Sequence, residues 1–176
     1  VEYLKNQNIL TFRGSKQDIL KRFLDATKTF NTEIIVDVEA DKIYTDPQYV
    51  DLLINELMDD KIDFVTGNNS LDKFDPAFGF HGFVPAAFKV TALKKICELK
   101  KTDNTETGYK EFFTSNKIIR TKFLLPEPDI VIPDGFSFAL DYPEDFKLAK
   151  VVISELGNDF SVRDVLRFIQ KNPQLK

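Results

Sequence analysis

Apolar positions along this chain keep two rhythms in turn. Short apolar or β-branched runs at Ile9–Phe12, Glu33–Val38, Ile62–Thr66, Lys117–Leu125 and Ile130–Ile132 are bounded by turn residues and predict strands. Between them, apolar residues recur at helical spacing. One set is Ile19, Leu20, Phe23, Leu24, Ala26 and Phe30; a second is Val50, Leu53, Ile54 and Leu57. Residues 88–99, with Leu93, Ile96 and Cys97 on one face, predict another helix, and Val162, Val165, Leu166 and Ile169 predict the last. A shorter helix is predicted over Glu106–Phe113, capped by Thr105. Punctuation agrees with this division. Ser15 with Asp18, and Ser161 with Asp164, have capping-box spacing, Asp46-Pro47 supplies a cap and a first-turn proline, and Gly157 suits the position after a helix end. Strands alternating with helices predict a single α/β domain over residues 1–176 with a mostly parallel sheet.

The stretch Phe136–Leu148 adds chemistry to this pattern. Its first half alternates apolar and small residues like a buried strand, Pro143 opens a helix, and Phe146, Leu148, Ala149, Val152 and Ile153 form that helix's apolar face. Asp141 is thereby predicted at the carboxyl end of a strand, where open α/β sheets hold their ligands. A carboxylate there can bind a hard cation or cap the helix. On residue chemistry alone capping is the simpler account, because Asp141 and Glu144 also have capping-box spacing. Asp41 is predicted at a second strand end, with metal binding weighed against a solvated loop acid. Residues 71–86 set Phe74, Phe78, Phe80 and Phe83 among glycines and prolines, which predicts a substrate-facing loop or hairpin, with a satellite apolar cluster as the plain alternative.

Composition narrows the classes. With 176 residues, 43% hydrophobic and 30% charged, the chain is ordinary for a globular domain. No apolar run approaches the roughly 20 residues of a membrane span. A net charge of −4 without a basic stripe argues against a nucleic-acid partner. One His and one Cys argue against zinc, whereas Mg²⁺ needs only one or two carboxylates. Cys97 has no internal disulfide partner and suits a reducing, cytoplasmic setting.

Several motifs then occur in one order: Phe12-Arg-Gly-Ser-Lys-Gln-Asp-Ile-Leu-Lys-Arg-Phe23, Ala40-Asp41 followed by Asp46-Pro47, Glu98-Leu-Lys-Lys-Thr-Asp-Asn-Thr-Glu106, and Leu140-Asp-Tyr-Pro-Glu-Asp-Phe146. With the terminal Phe168-Ile-Gln-Lys-Asn-Pro-Gln-Leu175 they resemble the cytidylyltransferases that activate acidic sugars, the acylneuraminate and 3-deoxy-manno-octulosonate type with its spore-coat polysaccharide relatives. The resemblance spans nearly the whole chain. It implies a three-layer α/β/α, nucleotide-diphospho-sugar transferase-like (Rossmann-like) fold. It also implies a reaction in which the anomeric hydroxyl of a sugar acid attacks the α-phosphorus of CTP and pyrophosphate leaves.

Mg²⁺ is the implied cofactor, held by the catalytic pair Asp41 and Asp141. Arg13, Gly14 and Ser15 are expected beside the nucleotide, at a turn that the pattern reads as a helix amino terminus, where N–H groups and the helix dipole favour anions. Arg22 joins them by resemblance, with a surface ion pair as its plain alternative. His81 and Lys89 are the candidates for the sugar carboxylate, although a lone histidine among aromatics is commonly structural. The family's glycine-rich basic loop, Gly-x-x-Ser-x-Arg-x-x-x-Lys, has no counterpart at that spacing, so the chain is expected to be the family without its amino-terminal portion. The aromatic surplus from Phe74 to Phe88 predicts a homodimer, with residues 71–125 facing substrate or a second subunit. Two other classes stand beside this one. A glycosyltransferase of related architecture would release nucleoside diphosphate rather than pyrophosphate, and a non-catalytic domain would act only by association.

Overall fold

The structure is a computed structural model that describes residues 1–68, 70–71, 73–74, 79–133, 136 and 138–175; the side chain of His81 also lies outside the description. Among the described residues, strands β1 (Ile34–Asp37), β2 (Phe64–Gly67), β3 (Ala86–Lys89) and β4 (Thr121–Leu124) form one sheet in the order β1-β3-β2-β4. Three of them run the same way, and β2 pairs with β4 in parallel; β3 is inserted antiparallel between β1 and β2. The helices are α1 (Glu2–Asn6), α2 (Ile19–Phe30), α3 (Pro47–Leu57), α4 (Val90–Leu99), α5 (Tyr109–Thr114), α6 (Pro143–Leu156) and α7 (Val162–Lys171).

Side chains alternate across the pleat, so β1, β2 and β3 each feed two cores. Ile34, Val36, Val65 and Ala87 pack against α3, α6 and α7, while Ile35, Phe64, Ala86 and Phe88 pack against α2, α4 and α5. The result is a three-layer α/β/α arrangement. Phe113 of α5 closes the second core by stacking on Phe64 and packing on Phe88, both with ring centroids 4.8 Å away.

Several predicted elements change character. Ile9–Phe12 is not a strand: no described strand lies beside it to take up its backbone groups, and Ile9 and Leu10 stay exposed. Residues 86–89, of which Phe88 was expected to open a helix, belong to β3 because Phe88 sits in register with both Ile35 and Phe64. Ile130–Ile132 and, among the described residues of the Phe136–Leu140 run, Phe136 and residues 138–140 also lie outside the sheet. Ile130 closes a turn onto the Glu127 carbonyl (2.8 Å), and Phe138 is buried against Tyr44 and Phe83. Their apolar residues serve packing rather than strand pairing. Phe80, Phe83 and Phe88 are fully buried in the chain's own cores, which removes them from any argument for a dimer face; Phe78 lies outside the described residues.

Helix starts divide in the same way. Asp46 caps α3, Ser161 and Asp164 box α7, and Gly157 follows α6, all as the spacing predicts. By contrast Asp18, not Ser15, caps α2, and Ser15 Oγ accepts from the Asp18 amide (3.0 Å) in the preceding loop. Thr105 does not cap α5, which begins after Gly108. Its hydroxyl is buried at the start of α2 instead, accepting from the Leu20 amide and donating to Asp18, both at 3.2 Å.

Candidate active site

β1 and the turn after it present three acids at alternate positions: Asp37, Glu39 and Asp41. Asp37 ends the strand and accepts from the Tyr109 hydroxyl of α5. Burial pushes its carboxyl above the usual range, the Tyr109 bond only partly offsetting this. Glu39 takes the Lys110 ammonium at 2.7 Å and, on the same oxygen, the Lys42 ammonium. Burial alone would raise the Glu39 pKa, but the two lysines more than offset it and hold the carboxyl below its usual value. Burial and the neighbouring Lys42 charge push the Lys110 ammonium down.

Asp41 is treated differently. Its Oδ1 is buried and has no hydrogen-bond partner, while its carbonyl accepts the Leu140 amide at 2.9 Å. That one bond joins the turn after β1 to the segment that carries Asp141. Asp141 is exposed and follows an irregular segment rather than the predicted strand. The predicted capping box is also shifted by one residue. Asp145 Oδ2 accepts from the amides of Asp141 (3.0 Å) and Tyr142 (2.8 Å), so the Asp141 carboxylate is not the cap of α6. Gly82 supports the junction from the other side. A Cβ there would lie 2.6 Å from the Phe138 carbonyl oxygen, so the turn Gly79–Gly82 can press directly on the backbone leading to Asp141.

The remaining predicted site residues fall in three places. Arg13 and Gly14 are exposed and Ser15 is half-buried, in the coil several residues ahead of α2 rather than at its amino terminus. Arg22 crosses Gly14 and donates to the Ser15 carbonyl (3.1 Å), so Gly14, Ser15 and Arg22 are brought together. Among the described residues no hydrogen bond or ion pair links that loop to the Asp41 turn. His81 lies within the Gly79–Gly82 turn, and its side chain is outside the described residues. Lys89 is at the opposite end of the β1–β3 ladder from Asp37: it pairs with Ile34 while Asp37 pairs with Ala86, and its ammonium donates to the Asp59 carbonyl (3.0 Å). It does not join the aspartates.

Tyr109, Lys110 and Lys42 are the neighbours that sequence reading missed. The alternation Asp37, Glu39, Asp41 was visible, but nothing local announces that α5 supplies the partners. Among the described residues no three His, Cys, Asp or Glu side chains lie close enough to hold a metal ion between them. No helix among them is long and apolar enough to cross a membrane.

No protein-family model matches the chain. It is 26% identical over 181 residues to the uncharacterized protein MJ1063 of Methanocaldococcus jannaschii, covering 100% of this chain and 69% of that one. It is 21% identical over 174 residues to the spore coat polysaccharide biosynthesis protein SpsF of Bacillus subtilis, covering 95% and 67% respectively. The fold superposes on a cytidylyltransferase from Leptospira borgpetersenii with a TM-score of 0.83 and 27% identity, over 99% of this chain and 71% of that one. The chain has a cytidylyltransferase-like fold. In this cytidylyltransferase-type fold the Asp41–Leu140 junction stands where the turn after β1 meets the approach to α6.

Proposed function

We propose that this chain carries the site of an Mg²⁺-dependent cytidylyltransferase that moves CMP from CTP onto an acidic sugar of a surface polysaccharide, with release of pyrophosphate. The observation that carries the reading is the bond from the Leu140 amide to the Asp41 carbonyl, which joins the backbone at Asp41 to the residue before Asp141. The cytidylyltransferase of similar fold supports the reaction class, and the polysaccharide role named for SpsF supports the substrate class.

The donor set fits Mg²⁺. Asp41 offers a buried oxygen with no protein donor, and Asp141 offers an exposed carboxylate that is spared from capping α6. A bound Mg²⁺ neutralises phosphate oxygens and leaves coordination positions for them. The chain's own part is to bind and orient. Asp145 fixes the backbone at Asp141 and Tyr142, and the exposed Arg13-Gly14-Ser15 loop, braced by Arg22, offers a cation and N–H groups to the nucleotide. His81 is the candidate for the sugar carboxylate. The sugar hydroxyl oxygen bonds to the α-phosphorus, the bond to the pyrophosphate oxygen breaks, and the hydroxyl proton passes to solvent.

Asp41→Asn and Asp141→Asn are each expected to lower pyrophosphate release by at least about a hundredfold, with melting temperatures close to wild type. Normal turnover in both variants would remove the assignment. Release of nucleoside diphosphate instead of pyrophosphate would transfer it to a glycosyltransferase.

A further inference from the structure

We propose that Lys110 is a positioning residue for the aspartate junction: by holding Glu39 it fixes the turn that presents Asp41 and receives Leu140. The inference rests on the reading of that site given above. Its basis is the alternation along the chain. Asp37 ends β1, and Glu39 and Asp41 follow it in the turn, each two residues after the last. Consecutive residues of α5 take the first two, Tyr109 gripping Asp37 and Lys110 gripping Glu39. The third acid is left with a buried oxygen that no protein group satisfies.

Lys42 also binds Glu39, but it belongs to the same turn and cannot locate that turn in the fold. Lys110 can. Its helix is anchored in the second core through Tyr109 and Phe113, and its side chain is only 10% exposed. A buried ammonium paired with a partly solvated carboxylate is a poor source of stability, because desolvation offsets much of the attraction. It does restrict where the carboxylate can lie. The turn so held is closed by the Lys42 amide on the Glu39 carbonyl (2.9 Å) and ends in the Asp41–Leu140 bond (2.9 Å).

The test compares wild type with Lys110→Met, Lys110→Arg and Glu39→Gln in two measurements. In ligand-free protein, amide hydrogen exchange at Leu140 and Lys42 is expected to be about tenfold faster in K110M and E39Q, and near wild type in K110R, because local opening sets that rate. With CTP present, the Mg²⁺ concentration giving half of the rise in melting temperature is expected to increase about tenfold in K110M, as for groups that orient metal ligands, and to be restored in K110R. Lower ligand-free melting temperatures with an unchanged Mg²⁺ midpoint would mark a structural role only and overturn the proposal. So would unaltered exchange at Leu140. Should K110M not fold, E39Q carries both measurements. If wild type does not respond to CTP and Mg²⁺, the functional reading fails, and Leu140 exchange alone decides whether Lys110 holds the junction.

Discussion

Asp41 and Asp18 are both loop acids ahead of a helix, and their surroundings are opposite. Asp18 is buried and fully engaged, accepting from Lys100 (2.6 Å), the Lys21 amide (3.0 Å) and Thr105 (3.2 Å). Burial would raise its pKa, but these donors more than offset that and hold the carboxyl below its usual value. Because the folded value is depressed, the stabilisation is fully present above the unfolded carboxyl's pKa of about 4 and fades as pH falls through the folded value. Asp18→Ala is expected to cost about 2 kcal/mol in urea unfolding at pH 7, as for a lost helix cap, and the gap to wild type should narrow below about pH 4. A gap independent of pH would show that the charge on Asp18 plays no part. Asp41 has no such donors at Oδ1, and the proposed metal role rests on that oxygen.

Among the elements, helix starts show how far local spacing reaches. The Ser161–Asp164 box and the Asp46–Gln48 cap were legible because donor and acceptor lie within three residues of each other. What spacing could not reveal is that Asp46 serves two helices: its Oδ1 accepts from Gln48 in α3 and its Oδ2 from the Val162 amide that opens α7, both at 2.9 Å. Asp46→Ala is therefore expected to cost about 2–4 kcal/mol, the sum of two caps, while Ser161→Ala costs about 1 kcal/mol. Urea titrations of the two variants check this, and equal losses would show that the second bond of Asp46 contributes nothing. Thr105 failed as a predicted cap for the converse reason. Its partners, Leu20 and Asp18, are remote in sequence, and Gly108 takes the place expected of it.

Across the whole molecule, one thin sheet divides two cores. Leu53 of α3 is fully buried on one side and Leu93 of α4 on the other. Each Leu→Ala change is expected to cost about 3 kcal/mol. Since β1, β2 and β3 contribute side chains to both cores, the two variants should each unfold in a single urea transition seen alike by near- and far-ultraviolet circular dichroism. A separated transition in either one would divide the chain into two units.

The alternation of strands and helices, most helix faces and the caps with local partners were determined by the sequence itself, because periodicity and short-range hydrogen bonds are properties of neighbouring residues. Tertiary structure decided the rest. Whether an apolar run is a strand depends on a partner, so Ile9–Phe12 and residues 138–140 lay outside the sheet, whereas Ala86–Lys89 joined it antiparallel between β1 and β2. Burial of Lys110 on Glu39, and the meeting of Asp41 with Leu140, likewise join positions far apart along the chain. Such contacts exist only once packing has brought their segments together, and no local spacing records them.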